Sequence, residues 1–84
     1  MKIKVNVKYD VTESFINTEF IRLDSLLKFE NIAETGGIAK DMIQNGEINV
    51  NGEVCTQRGK KLRPGDFVTF GRKKIVIKAE ENNI

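Results

Sequence analysis

The segment Gly46-Glu47-Ile48-Asn49-Val50-Asn51-Gly52 decides the fold of this 84-residue chain. Its first glycine can end a helix, because glycine readily adopts the left-handed conformation that follows a helix C-terminus. Its Asn-Gly pair favours a two-residue hairpin turn, since both turn positions need a positive φ. The short strand between them would pair with Glu53-Val54-Cys55, in which we interpret Cys55 as a small strand side chain. The segment therefore predicts a helix, a stop and a β-hairpin in immediate succession.

The register of this hairpin has two possible forms. In a strict two-residue loop, Val50 pairs with Glu53, and Val54 points away from the face that carries Ile48 and Val50. Either the pairing is short or the loop is longer than two residues.

A first helix is predicted upstream, from near Leu23 to about residue 30 or 31. Asp24 or Ser25 can accept hydrogen bonds from the amides of its first turn. Its apolar residues recur at i, i+3 and i+4, which is the spacing of one buried helix face. That face consists of Leu23, Leu26 and Leu27.

A second helix is predicted from Gly36 or Gly37 to Asn45. Thr35 is a suitable N-cap, because its hydroxyl can accept a hydrogen bond from a free amide of the first turn. The helical spacing assigns the buried face to Ile38, Ala39, Met42 and Ile43.

Turns and strands are predicted after the hairpin. Residues 57–63 form a basic loop in which Leu62 is the one apolar anchor. Arg63-Pro64-Gly65-Asp66 is typical of a turn. The strands Phe67–Phe70 and Lys74–Ile77 then join across Gly71-Arg72.

At the N-terminus, residues 2–9 alternate strictly between polar and apolar side chains, which predicts a strand with one buried face. Residues 10–17 are interpreted as a connection, and residues 79–84 as a polar, frayed tail. The aromatic rings are assigned to the core: Phe15, Phe20, Phe29, Phe67 and Phe70.

Composition excludes several classes of function. The chain contains no His, hence no ordinary general base near neutral pH and no imidazole metal ligand. Its single Cys excludes an intrachain disulfide and a zinc site with several thiolates. Its longest apolar run has three residues, and its first ten residues do not resemble a signal peptide. We therefore expect a cytoplasmic protein that is not an enzyme and carries no cofactor and no metal.

The net charge of +2 conceals an uneven distribution. Residues 1–56 carry six Lys/Arg and nine Asp/Glu, whereas residues 57–78 carry eight Lys/Arg and one acid. The second stretch has a net charge of +7 and creates a local positive field. This field is either an ordinary solvated surface or a face that binds phosphates.

Several strings resemble one known family when taken in order. They are Ile21-Arg22-Leu23-Asp24, Ala39-Lys40-Asp41-Met42-Ile43, the segment 46–52 quoted above and Pro64-Gly65-Asp66-Phe67-Val68. Over about Phe20 to Phe70 they resemble the RNA-binding domain named after small-subunit ribosomal protein S-four, which is built on the αL motif. Within that superfamily, three further strings resemble the small stand-alone YaaA/YbcJ-like proteins. These are Thr35-Gly36-Gly37-Ile38-Ala39-Lys40, Val50-Asn51-Gly52-Glu53 and Arg58-Gly59-Lys60-Lys61-Leu62.

The resemblance implies an α+β fold, with two short helices packed on a small, mostly antiparallel sheet of about four to five strands. The expected organisation is an N-terminal strand and connection (1–19), the S-four-like domain (20–78) and the tail (79–84). It implies binding of structured RNA, with ribosomal RNA as the target, in ribosome assembly or another ribosome-associated role. We expect a monomer. The alternative is a non-catalytic protein-interaction module of β-grasp type.

The implied RNA-binding face has seven cationic members, with two glycines as backbone or turn positions near the RNA. The cations are Arg22, Lys28, Lys40, Arg58, Lys60, Lys61 and Arg63, and the glycines are Gly36 and Gly37. Gly36 departs from the family pattern, because an Arg that commonly meets RNA often stands there. The bare amides at this helix start could themselves receive a phosphate.

Each cation also has a structural interpretation. Arg22 either binds RNA or pairs with Asp24, and Arg63 either binds RNA or serves the turn that follows it. Lys28, Lys40 and the cluster 72–74 are either RNA contacts or solvated surface charges. Three cations crowded into residues 58–61 repel one another, and an anionic partner would relieve that repulsion. The basic loop contains no aromatic ring, which favours recognition of RNA backbone and shape over base stacking.

Overall fold

The computed structural model describes residues 8–80. The strand predicted for residues 2–9 lies outside the described residues, except for Lys8 and Tyr9, which belong to no strand. The elements, in chain order, are β1 (Asp10–Ile16), β2 (Ile21–Arg22), α1 (Leu23–Phe29), α2 (Gly36–Gln44), β3 (Asn49–Val50), β4 (Glu53–Val54), β5 (Lys61–Leu62), β6 (Phe67–Phe70) and β7 (Lys73–Ala79).

A five-stranded sheet with the order β1-β7-β6-β3-β4 forms the main layer. The strand β1 pairs with β7 in parallel, and the other pairs of this sheet are antiparallel. The strands β2 and β5 form a separate antiparallel pair. The expected α+β fold, with two helices and a mostly antiparallel sheet, is confirmed.

The prediction of a connection at residues 10–17 is wrong, because β1 occupies residues 10–16. The segment is polar, yet it pairs with β7 along its whole length. Ser14 is buried, and its hydroxyl donates a hydrogen bond to the Glu30 carboxylate at 3.0 Å. A buried polar side chain that finds such a partner is tolerated in a strand, so polarity alone did not identify a loop.

Both helices begin and end where the sequence predicts. The Thr35 hydroxyl accepts from the Ile38 amide at 3.1 Å and caps α2. After α2, the amides of Gly46 and Glu47 donate to the carbonyls of Ile43 and Met42. With φ of 77° at Gly46, this is the Schellman ending that favours glycine.

The first helix ends in the same way, with Asn31 in place of glycine. The φ of Asn31 is 59°, and its amide donates to the carbonyl of Lys28 at 3.1 Å. The chain then enters the link to α2.

The core lies between the helices and one face of the sheet, where apolar side chains leave water. Its fully buried members include Leu23, Leu26, Leu27, Ala39, Ile43, Ile48, Leu62 and Ile77. On α2 the predicted buried face holds for Ala39 and Ile43, and Met42 is partly buried. The prediction is wrong for Ile38, which is 42% exposed.

The aromatic rings are less buried than predicted. None of the five phenylalanines belongs to the buried core: Phe20, Phe67 and Phe70 are half-buried. Phe15 and Phe29 are exposed, because Phe15 points to the outer face of the sheet and Phe29 closes the last turn of α1.

The hairpin at Asn51-Gly52 takes the shorter of its two possible forms. Val50 pairs with Glu53 and Asn49 with Val54, which leaves a strict two-residue loop. Both loop residues have positive φ, 52° and 88°. Val54 consequently points away from the core and is 62% exposed.

The remaining turns agree with the sequence, and β7 extends further than predicted, to Ala79. Gly65 in the turn after β5 has φ of 102°, and the Asp66 amide donates to the Arg63 carbonyl at 2.9 Å.

In the part of the chain that the structure describes, no helix is long and apolar enough to cross a membrane.

Candidate nucleic-acid interface

The basic loop is attached to the start of α1 by backbone hydrogen bonds. The Leu23 amide donates to the Lys60 carbonyl at 2.9 Å, and the Asp24 amide donates to the Arg58 carbonyl at 3.1 Å. The adjacent pairing of β2 with β5 sets Arg22 opposite Lys61. The amides at the start of a helix have no intrahelical partners. The two carbonyls of the basic loop supply those partners, so the same two hydrogen bonds cap the start of α1 and fix the position of the loop.

Asp24 lies between two arginines of the predicted face. Its Oδ2 lies 3.1 Å from Arg22 Nη2 and 3.0 Å from Arg58 Nε, and Arg22 Nε donates to its Oδ1 at 3.2 Å. The carboxylate also accepts the Ser25 amide at 2.8 Å. The Asp24 side chain is only 9% exposed, whereas Arg22 and Arg58 remain 52% and 43% exposed. The carboxylate therefore fixes two guanidinium groups that stay open to solvent.

The ionisation of Asp24 is maintained by these partners. Burial alone would raise the pKa of its carboxyl group. The hydrogen bond from Arg58, the positive charge of Arg22 and the Ser25 amide outweigh burial and hold the pKa below its ordinary value. Asp24 is thus a carboxylate at neutral pH. The pairing of Arg22 with Asp24, one of the two alternatives that the sequence left open, is present in the structure.

Two glycines lie beside the arginines. A Cβ atom on Gly59 would be 3.6 Å from Arg22 Nη2, and one on Gly36 would be 3.8 Å from Arg58 Nη2. These are ordinary contact distances, so a longer side chain at either position would compete with an arginine for space. At position 36, the glycine leaves this space to Arg58.

Lys60 and Lys61 extend the positive surface away from Asp24, and both are exposed. The Lys61 ammonium lies above the Phe20 ring, 4.9 Å from its centroid. This cation–π contact orients Lys61 and places its ammonium over the face of the Phe20 ring. Lys60 lines an open groove beside Val54 and Cys55, and the half-buried Cys55 directly follows β4.

The turn after Leu62 is held by a second aspartate. The Arg63 amide donates to Asp66 Oδ2 at 2.9 Å, and Asn51 Nδ2 donates to Oδ1 at 3.1 Å. The Arg63 amide is the main cause of the lowered pKa of Asp66; burial opposes it, and the Asn51 amide and the charges of Lys60 and Arg63 assist it. The backbone of Arg63 thus serves the turn, while its side chain is exposed.

A family model described as the S4 domain matches residues 15–78. The chain belongs to the S4 domain family.

Individual relatives agree with this assignment. The Probable ribosome maturation protein RlbA of Bacillus subtilis is 39% identical over 64 residues, which cover 73% of this chain and 90% of the relative. The Putative RNA-binding protein YbcJ of Escherichia coli is 34% identical, and the match covers 70% of this chain and 84% of the relative. The RQC P-site tRNA stabilizing factor of B. subtilis is 30% identical, with 73% and 72% covered. The predicted membership of the S4 domain family and the predicted likeness to YbcJ are confirmed.

A solved structure has the same fold. The trimeric structure of Vibrio cholerae Heat Shock Protein 15 superposes with a TM-score of 0.64 at 25% identity. The match covers 77% of this chain and 69% of that one.

The S4 domain brings together only part of the predicted site. Arg22, Arg58, Lys60, Lys61 and Gly36 lie around the start of α1. Among the described residues, no recorded contact joins two further predicted members to this group. Lys28 in the last turn of α1 and Lys40 on α2 are exposed, and within residues 8–80 neither forms an ion pair.

The cluster 72–74 belongs to a different hairpin, between β6 and β7. The Lys74 ammonium lies 4.5 Å from the centroid of the Phe67 ring, on the outer face of the sheet. This contact gives Lys74 a structural role.

Sequence reasoning missed how Asp24 and Asn51 organise the S4 domain. The pairing of Asp24 with Arg22 was one open alternative, but its bond to Arg58 spans 34 residues and has no local signal. Asn51 was recognised only as a turn residue, whereas its side chain also accepts a hydrogen bond from the Phe67 amide at 3.0 Å.

Among the described residues, no group of three or more His, Cys, Asp or Glu side chains could hold a metal ion.

Proposed function

We propose that this S4 domain binds structured RNA, with ribosomal RNA as its target, through the basic face formed by Arg22, Arg58, Lys60 and Lys61. The observation that carries the proposal is the fixing of two exposed arginines by Asp24, beside a lysine pair whose backbone is bonded to α1. Groups held in place before binding lose less conformational freedom when a phosphate arrives. Arginine guanidinium groups also suit bidentate contact with phosphate oxygens.

The first turn of α2 adds backbone donors to this face. Thr35 satisfies the Ile38 amide, and helix geometry leaves the amides of Gly36 and Gly37 without intrahelical acceptors. The Arg58 guanidinium lies next to Gly36, so a phosphate bound there could meet a cation and these amides together. Lys28, Lys40 and Arg63 would supply peripheral, long-range attraction.

Recognition would depend on backbone and shape. The Lys61 ammonium lies over the face of the Phe20 ring, and residues 57–63 contain no aromatic side chain on which a base could stack. Phosphate contacts position a protein on RNA without reading its sequence. We therefore expect similar affinities for structured RNAs of different sequence and similar shape.

The names of the relatives support a ribosome-linked role. One is named for ribosome maturation, one for RNA binding and one for stabilising P-site tRNA. We infer a cytoplasmic, non-catalytic protein that acts in ribosome assembly or on the ribosome. The family assignment favours this function over a β-grasp docking module.

A charge-matched pair of variants tests the proposal. Lys60→Ala with Lys61→Ala removes two positive charges from the basic face, and Arg72→Ala with Lys73→Ala removes two from the β6–β7 hairpin. We expect the first pair to weaken binding to purified ribosomal RNA by at least tenfold in fluorescence anisotropy. The second pair should change it less than threefold. Equal losses from both pairs would show that only net charge matters and would contradict the assigned face.

A further inference from the structure

An open groove of about 490 Å³ lies between the β3–β4 hairpin and the basic loop, and we call it the hairpin groove. Its apolar surface comes mainly from Val54, which is 62% exposed, and from the half-buried Cys55. Lys60 lines it from the side of the basic loop. The volume falls within the range of about 300–1,000 Å³ that is usual for sites of small organic groups.

We propose that the hairpin groove receives one unpaired nucleotide of the structured RNA that the basic face holds, with its base against Val54 and Cys55. The inference rests on the proposed function, because Lys60 belongs both to the basic face and to the groove. Phosphates held by Lys60 and its neighbours would bring the RNA backbone to the mouth of the groove. The RNA class is therefore a helix that carries a bulged nucleotide, whose base is free to turn outward.

Both walls of the hairpin groove are fixed by hydrogen bonds within the protein. On the hairpin side, the Asn51 side chain accepts from the Phe67 amide at 3.0 Å. On the loop side, the Lys60 amide donates to the Gln57 carbonyl at 3.1 Å, and the Lys60 carbonyl accepts from the Leu23 amide at 2.9 Å. Walls that are in place before binding lose less conformational freedom when a ligand enters.

The apolar wall is an aliphatic side chain held at the surface. The strict two-residue loop turns Val54 away from the core, and a Cβ atom on Gly46 would lie 3.7 Å from Val54 Cγ1. Val54 thus has a fixed neighbour on one side and remains open on the other. The basic loop offers no ring for stacking, so the face of an unpaired base leaves water by contact with this aliphatic surface.

The charge of the groove suits a base better than a phosphate. Its charged lining residues are one acid, Glu53, and one cation, Lys60, whose formal charges cancel. The surplus positive charge lies beside the groove, in the basic loop. A nucleotide has the same division, since its base is neutral and its phosphate is charged. Thr56 and Gln57 also line the groove, and their side chains can both donate to and accept from the edge of a base.

Two hairpin RNAs with the same stem test the inference by fluorescence anisotropy on the full chain. One carries a single bulged uridine, and the other carries an abasic residue at the same bulge, so that the backbone is matched and only the base differs. We expect the uridine RNA to bind about five- to tenfold more tightly, because its base leaves water in the groove. Equal binding would overturn the inference, leave the groove to a protein partner and keep the proposed function. Binding of neither RNA would overturn the proposed function as well.

A matched pair of valine variants locates the effect. Val54→Ser replaces the apolar wall with a small polar side chain, and Val11→Ser makes the same change at a 60% exposed valine of β1. The preference for the uridine RNA should fall to less than about twofold in the Val54 variant, because the apolar contact is lost. It should be unchanged in the Val11 variant. An unchanged preference in the Val54 variant, or equal losses in both, would overturn the assignment to the groove.

Thiol alkylation supplies a measurement on the wild-type chain, which remains decisive if the Val54 variant fails to fold. Cys55 is the only cysteine of the chain and lines the groove. At saturation, the uridine RNA should slow its alkylation by neutral iodoacetamide at least about threefold relative to the abasic RNA, because the base restricts access to the thiol. Equal rates with the two RNAs would overturn the inference.

Discussion

The Oδ2 atom of Asp24 lies 3.0 Å from Nε of Arg58, and this contact joins the first turn of α1 to the basic loop. An acidic residue thus stands at the centre of a surface that we propose binds a polyanion. Its charge opposes RNA at long range, but its hydrogen bonds fix the positions of two arginines. Because Coulomb repulsion acts through solvent at this surface, we expect the positioning effect to be the larger of the two.

Replacing Asp24 with Asn should lower RNA affinity even though it removes a negative charge. The amide can accept fewer charge-assisted hydrogen bonds and has one side that donates, so Arg22 and Arg58 lose their fixed positions. We expect about a three- to tenfold weaker complex, corresponding to about 0.7–1.4 kcal/mol. Fluorescence anisotropy with ribosomal RNA measures it. Asp41→Asn on the exposed side of α2 removes the same charge and should leave binding unchanged or slightly tighter. Tighter binding by the Asp24 variant would show that repulsion dominates.

Stability should fall in acid through Asp24 and Asp66. Both have folded-state pKa values below the unfolded value, so their contribution is complete above about pH 4 and is lost as pH falls through the folded values. Urea unfolding measured from pH 6 down to pH 2 should show this decline. The Asp24→Asn variant should show a shallower slope. An equal slope in both proteins would assign the acid sensitivity to other carboxylates.

RNA binding should depend steeply on salt. If the basic face neutralises about four or five phosphates, the logarithm of the binding constant should fall against the logarithm of salt concentration with a slope of about −3 to −4.5. Replacing Lys60 by Ala should reduce the magnitude of this slope by about one. An affinity that does not change between low and high salt would contradict an electrostatic mechanism.

Asn51 should contribute to stability through both its backbone and its side chain. Ala at this position must adopt φ of 52° and loses the bonds to Phe67 and Asp66, so we expect a loss of about 2–3 kcal/mol in unfolding free energy. Gly tolerates that φ and should lose about half as much. Chemical denaturation measures both variants. Equal losses for Ala and Gly would mean that the side-chain bonds carry the whole effect.

The local elements of this fold could be predicted from sequence because their signals are local. Thr35, Gly46 and Asn51-Gly52 each act on residues within one or two turns of themselves, and each was found where expected. Strand β1 was missed because its partner, β7, is remote in sequence and its polar side chains resemble a loop. The exposure of Phe15 and Phe29 was missed for a related reason. Hydrophobicity predicts that a ring favours burial, and only the tertiary arrangement decides whether space exists for it.

The candidate site shows the same division. Charge counting located the basic loop, and the resemblance supplied Arg22 and the start of α2. Neither could reveal that Arg58 donates a hydrogen bond to Asp24 or that Gly36 leaves space for the Arg58 guanidinium. These contacts join segments that are distant in sequence.

The parallel pairing of β1 with β7 has a consequence for biosynthesis. The ribosome makes β1 before every other described element and β7 after all of them. Pairing between such remote segments forms slowly, because a long chain must close before any contact forms. The growing chain therefore carries an unpaired strand through nearly all of its translation. During translation, after β1 has been made and before β7 has been made, the nascent chain is most exposed to misassociation and to chaperone binding.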